Sequence, residues 1–340
     1  KVYMLAYTPE ITAVGRRYPQ AQADASRTIN EGTLIWNYAG HGGILRLADE
    51  ALLDTEAIEG LTNDGRPTIC VTATCSFGRM DMVDDQSAAE RMLLLPEGGG
   101  IAMLTTLRVV FTSSSLESLN TGLNLRLNEE MFTRGGDGQP RRFGDIVRST
   151  KNTEAGAEFN NRKFALLGDP TMRIGLPTLT TQITSVNGQA PNPTMPPVLR
   201  ALEQTEIRGE VLGLDGERDV TFDGEVEVAV YDAARRVAIP EEAQFYQPGG
   251  SFSVQSDLLF RGRASVSQGT FRVAFVVPQD VSYSGAPARI VAYARSATLD
   301  GVGATQDVVI STTAGAGVSD SRGPDIALRF ATEADVAEGA

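Results

Sequence analysis

Residues 35–43 read IWNYAGHGG, and the fold turns on how this stretch is taken. Ile35, Trp36 and Tyr38 read as a buried strand, after which the chain breaks into small residues around His41, the one histidine among 340 residues. Working outward, Thr33–Tyr38 forms the strand proper. The preceding run Pro19–Glu31 has helical periodicity, with Pro19 suited to a first helical turn. Further upstream, Val2–Ala6 reads as another strand. Downstream, a polar connection through Glu59 leads to Thr68–Ala73, an apolar and β-branched strand. Ser87–Leu95 reads as a helix announced by the Ser87/Glu90 spacing of a capping box. Gly98, Gly99 and Gly100 end it, and Ile101–Thr105 is a fourth strand. Two longer helical stretches follow at Ser114–Phe132 and Phe143–Lys151. Strands separated by helices predict an α/β fold, with a parallel sheet covered on both faces.

From Thr178 onward the helical periodicity fades, and APNPTMPP (190–197) reads as stiff, linker-like chain. Short alternating runs follow in EIRGEVLGL, GEVEVAVYD, GTFRVAFVV and ARIVAYA, separated by turn residues such as Asp215-Gly216 and Asp223-Gly224. Short strands at this spacing predict an all-β, Ig-like sandwich. The expected organisation is an α/β domain over 1–176 and a β-sandwich over 177–312. Residues 313–340 are expected to form a flexible tail or the start of a further β unit.

The formal net charge of −13 argues against nucleic acid as a partner, because such a surface repels phosphate backbones. No apolar run approaches the ~18 residues that span a bilayer. Lys1 leads straight into the strand-like VYMLA, so the expectation is of a chain that begins inside a fold, without its signal peptide. Cys70 and Cys75 share one run, TICVTATCS; if it is extended they lie roughly 16 Å apart at ~3.3 Å per residue. A disulfide needs Cα atoms within ~7 Å, so free thiols are expected.

In a parallel sheet, the loops at the carboxyl ends of the strands hold the ligand. One predicted strand ends at His41 and another at Cys75. If the two strands are neighbours, imidazole and thiol project from the same sheet edge, and an adjacent imidazole is the usual activator of a thiolate nucleophile. Gly40, Gly42 and Gly43 would let backbone approach a substrate closely, with amides free to stabilise an oxyanion. The plainer readings are a surface or capping histidine and a cysteine serving as a small core hydrophobe; the latter suits Cys70. A zinc site fails on counting, since one His and two poorly placed Cys leave only carboxylates to complete the ligand set. No metal or cofactor is expected. GHGG also lacks the lysine and hydroxyl of a P-loop.

NYAGHGG, LADEALL, VTATCSFGRMD, SAAERMLLLPEGGGIAMLTTLRVV and FALLGDPTMRI occur in this order over about residues 1–176, and the set resembles the gingipain family of cysteine peptidases. Within that family the resemblance is nearest to the sortases of the type IX secretion system. It implies a caspase-like α/β/α domain followed by an Ig-like β-domain. His41 then matches the catalytic histidine and Cys75 the nucleophile, with the amides of Gly42 and Cys75 as oxyanion donors; Cys70 matches no functional position. Thr105, Thr106 and Arg108, in TTLRVV, match the region that lines the substrate cleft, with a solvated or structural charge as the alternative for Arg108. The family's orienting acid and part of its specificity pocket lie well upstream of the histidine, so both are expected to fall outside this chain. Asp49 and Glu50 are the local candidates for that acid, against a reading as solvated loop charges.

The resemblance implies an enzyme on the extracellular face of a bacterial outer membrane. Its partners would be secreted cargo with a C-terminal sorting domain, other type IX secretion proteins and a surface glycolipid. The rival readings are a secreted proteinase that only hydrolyses and a non-catalytic subunit of the secretion machinery.

Overall fold

The computed structural model describes residues 4–112, 119–153, 159–239 and 250–317. Contacts divide the chain into two compact units, the first over 1–180 with 214–216 and 235–254, and the second over 181–213, 217–234 and 255–340.

The first unit is built on a four-stranded sheet. Its strands are β1 (Ile35–Ala39), β2 (Thr68–Ala73), β3 (Gly100–Thr106) and β4 (Phe164–Gly168), in that order. The first three are parallel, while β4 runs antiparallel to β3 with Thr106 opposite Phe164. Every residue of β2 is buried, as a central strand covered on both faces requires. Side-chain alternation assigns the two faces. Ile69 and Val71 of β2, with Ala102 and Leu104 of β3, pack against Leu123, Leu127 and Met131 of α4 (Leu119–Phe132) and Phe143 and Ile146 of α5 (Phe143–Lys151). Cys70 and Met103 point the other way. They meet Ile29 of α1 (Pro19–Asn30), Ile58 of α2 (Thr55–Glu59) and Met92 of α3 (Ala88–Leu94). The outcome is the three-layer, caspase-like α/β/α arrangement. Both cysteines are free.

Local chemistry sets the element ends. Pro19 occupies the first turn of α1, where its missing N–H leaves no intrahelical bond unmade. At α3 the capping box forms: the Ser87 amide donates to Glu90 Oε2 at 2.9 Å and the Glu90 amide to Ser87 Oγ at 3.4 Å. Three expectations are corrected or trimmed. Met4–Ala6 forms a single 3-10 turn instead of a strand, and residues 1–3 lie outside the described residues. The sheet's fourth member is β4, an edge strand absent from the sequence reading. The helix expected from Ser114 is seen from Leu119, and 113–118 lie outside the described residues.

The second unit is all-β. Its main strands are β5 (Leu179–Val186), β6 (Gln204–Leu212), β7 (Gly224–Tyr231), β8 (Leu258–Ser267), β9 (Thr270–Val276), β10 (Arg289–Arg295) and β11 (Asp300–Thr305). They hydrogen-bond in the closed order β6-β9-β8-β7-β10-β11-β5, so the ladder runs continuously instead of parting into two sheets. Alternation is strict on β9, where Phe271, Val273 and Phe275 point inward and Arg272 and Ala274 outward. Phe275 stacks on Phe260 of β8 with ring centroids 4.2 Å apart. The four alternating runs of the sequence reading become β6, β7, β9 and β10. Most of the expected C-terminal tail, 318–340, lies outside the described residues.

Candidate active site

β1 and β2 are adjacent and parallel, with Ala39 paired to Ala73. His41 and Cys75 each lie two residues beyond this pair, on loops leaving the same carboxyl edge. Both line one pocket of about 320 Å³, with Ala39, Gly40, Val110, Phe111, Thr112, Asn120 and Thr121. The Cys75 thiol is half-buried and faces the Val110 carbonyl at 3.6 Å. Cys70 has a different environment: it is fully buried beside Met92 Sδ at 3.7 Å, and burial pushes its thiol up to about 12. A group with so high a pKa stays protonated at neutral pH, so Cys70 supplies no thiolate there.

The turn carrying His41 is held by its main chain, which leaves the ring exposed. The His41 carbonyl accepts from the Ala48 amide at 2.8 Å and from the Tyr38 hydroxyl at 2.6 Å. Gly42 must be glycine: a Cβ there would lie 2.5 Å from Thr74 Oγ1 and 3.1 Å from the Arg46 carbonyl. The turn therefore rests directly on the residue before Cys75. Ser76, just after Cys75, has φ of 55°, a left-handed conformation that a non-glycine residue adopts at a cost of order 1 kcal/mol. Its amide is tied to the Arg108 carbonyl at 3.2 Å. Among the described residues, neither the Gly42 nor the Cys75 amide is engaged in a hydrogen bond.

The expected cleft contacts fare differently. Thr105 and Thr106 belong to β3 and are 0% exposed. The Thr105 hydroxyl accepts from Thr72 Oγ1 at 2.7 Å, and Thr106 Oγ1 donates to the Thr74 carbonyl at 2.6 Å. Their polar atoms are spent inside the sheet, so they cannot reach a substrate. Arg108 pairs with Asp81 at 2.7 Å, and Arg79 pairs with the same carboxylate at 3.0 Å. Arg79, then Arg108, holds the Asp81 carboxyl below the usual carboxylate range. Arg108 is thus an exposed ion-pair partner and does not line this pocket. The wall is made by the next residues, Val110 to Thr112, and by the first turn of α4.

Asp49 and Glu50 do not orient the imidazole: among the described residues no carboxylate hydrogen-bonds to it. Ala48 and Ala51 turn the chain here with φ of 58° and 57°. The two acids bear on the Tyr38 phenol, whose pKa is raised by burial and further by Glu50 and Asp49.

The model of Peptidase family C25 matches residues 1–175, just over half of the 340-residue chain. The chain belongs to this family. It is the gingipain family of cysteine peptidases, as the motif set implied. Among solved structures, latent PorU from Porphyromonas gingivalis is 27% identical with a TM-score of 0.40, over 66% of this chain and 21% of that one. The pro- and mature-domain complex of Porphyromonas gingivalis RgpB is 12% identical with a TM-score of 0.40, over 85% of this chain and 57% of that one. The Arg-specific proteinase gingipain R gives the same identity, TM-score and coverage of this chain, with 56% of its own chain matched. This chain therefore spans about a fifth of the PorU structure and somewhat over half of the gingipain structures. A comparison with curated proteins finds no match.

Proposed function

We propose that this chain carries the catalytic dyad of a C25 cysteine endopeptidase, with Cys75 as nucleophile and His41 as general base and acid. The observation that carries the reading is the shared pocket. The chain's single histidine and its one accessible cysteine stand at the ends of neighbouring parallel strands of a C25 domain. In the reaction, His41 takes the Cys75 thiol proton as sulfur attacks a peptide carbonyl carbon. The resulting oxyanion is held by the unengaged amides of Gly42 and Cys75. The intermediate collapses by breaking the C–N bond, and the imidazolium returns its proton to the departing amine. A thioester on Cys75 remains, to be released by water or by a second amine.

The resemblance of the motif set to type IX secretion sortases favours the second route. The substrate would then be secreted cargo bearing a C-terminal sorting domain, transferred to a surface glycolipid outside the outer membrane. Transfer must outcompete water at ~55 M, which requires a site that positions the acceptor and raises its effective concentration. The test is to supply cargo with its sorting domain and an amine acceptor, then weigh the products. A cleaved cargo whose new C-terminus carries the acceptor's mass is the expected result. Hydrolysed product alone, even with surface glycolipid present, would assign a proteinase instead. Uncleaved cargo under both conditions would point to the non-catalytic subunit.

A further inference from the structure

One buried side chain ties together the two loops that carry the dyad. Asn120, in the first turn of α4, is 9% exposed and lies in the wall of the His41–Cys75 pocket. Its Nδ2 donates to the Ala73 carbonyl at 2.8 Å, and the same carbonyl accepts the Gly40 amide at 3.3 Å. Gly40 immediately precedes His41, and Ala73 stands two residues before Cys75. One carbonyl is thus the common anchor of both loops and of α4. The adjoining stretch of the pocket wall is fastened in a related way. The Asn120 amide donates to the Phe111 carbonyl at 3.2 Å. Asn160 grips the same residue as a peptide would, accepting the Phe111 amide at 3.0 Å and donating to its carbonyl at 2.6 Å. Phe111 follows Val110, whose carbonyl faces the Cys75 thiol.

Stability alone does not account for an asparagine at this position. Asn120 Oδ1 is buried without a partner among the described residues, and an orphaned acceptor costs roughly 1–3 kcal/mol. Leucine, γ-branched like asparagine though larger, has no acceptor to strand and would remove that cost. What leucine would not supply is the N–H on the Ala73 carbonyl.

We propose that Asn120 is a positioning residue for the Cys75–His41 reaction: by clamping the Ala73 carbonyl, it fixes the Cys75 loop against the His41 turn. This rests on the dyad reading. A shift of about 1 Å between reacting groups can lower a rate by about 100-fold, so loosening this clamp should be visible in the chemistry.

The test is the rate of Cys75 alkylation by iodoacetamide at neutral pH, followed by intact mass, in the 340-residue chain and in Asn120→Leu, His41→Ala and the double variant. Melting temperatures are recorded alongside. Asn120→Leu should slow labelling by roughly tenfold or more when His41 is present. With His41 removed it should change the rate by less than about twofold, because the geometry it maintains no longer matters. Asn120→Asp keeps the shape but sets an acceptor against the Ala73 carbonyl, and should reproduce the slowing should the leucine chain not fold. Labelling at the unsubstituted rate in both Asn120 variants would overturn the proposal, as would equal slowing with and without His41, the mark of a purely structural residue. If His41→Ala itself labels at the unsubstituted rate, the dyad reading falls and takes the positioning role with it.

Discussion

Replacing His41 with alanine should lower the rate of peptide cleavage by roughly 100- to 10,000-fold, the usual contribution of a positioned general acid–base. Stability should barely change. The ring is exposed, and the turn is held through the His41 carbonyl by Ala48 and Tyr38, contacts that alanine keeps. Surface substitutions of this kind fall within about 0.5 kcal/mol. The combination is diagnostic: kcat/KM against a peptide substrate collapses while the melting temperature stays. Parallel loss of both would make His41 a folding residue. Retained cleavage would assign the proton transfer elsewhere.

The second large effect is expected at Gly42. In Gly42→Ala the new methyl would lie 2.5 Å from Thr74 Oγ1, on a buried residue that directly follows the fully buried strand β2. The yielding element must therefore be the turn, and its displacement carries His41 and the Gly42 amide away from Cys75. Losing one oxyanion donor costs roughly 100- to 1,000-fold in kcat, and misplacement of the imidazole adds to it. Gly43→Ala is the matched comparison, since a Cβ there meets nothing within 4 Å. It should lose much less. Comparing kcat for the two variants separates steric displacement at one position from general loss of glycine flexibility. Equal losses would contradict the role given to the Thr74 contact.

Much of the fold was legible because burial writes itself into periodicity. Thr68–Ala73 is wholly apolar or β-branched and emerges as a strand with the same limits. Phe143–Lys151 repeats its apolar residues at helical spacing and is a helix with the same limits. Short, weakly patterned segments were less readable. Val2–Ala6 carries strand-like residues, but among the described residues Met4–Ala6 pairs with no strand. β4 has only five residues, at the sheet's edge, and its direction depends on pairing with β3.

At the site, the strand-end placement of His41 and Cys75 could be read from the sequence, since two adjacent parallel strands leave few alternatives. The cleft wall could not. TTLRVV shows no sign of where the strand stops, and β3 runs on through Thr106, which buries the two threonines expected to meet substrate. Asn120 and Asn160 were invisible for another reason. A single amide in a polar stretch has no periodicity, and its role comes from residues 47 and 49 positions away in the chain.

The central claim is that His41 makes Cys75 the chain's nucleophile, and a peptidyl acyloxymethyl ketone, which captures activated thiols, tests it most directly. Intact mass and peptide mapping of the labelled native chain should find one adduct, on Cys75. Cys70, sealed in the core with its thiol pushed up to about 12, should stay unmodified until the chain is unfolded. His41→Ala should remain unlabelled over the same interval. An adduct on Cys70, or Cys75 labelled equally fast without His41, would contradict the account.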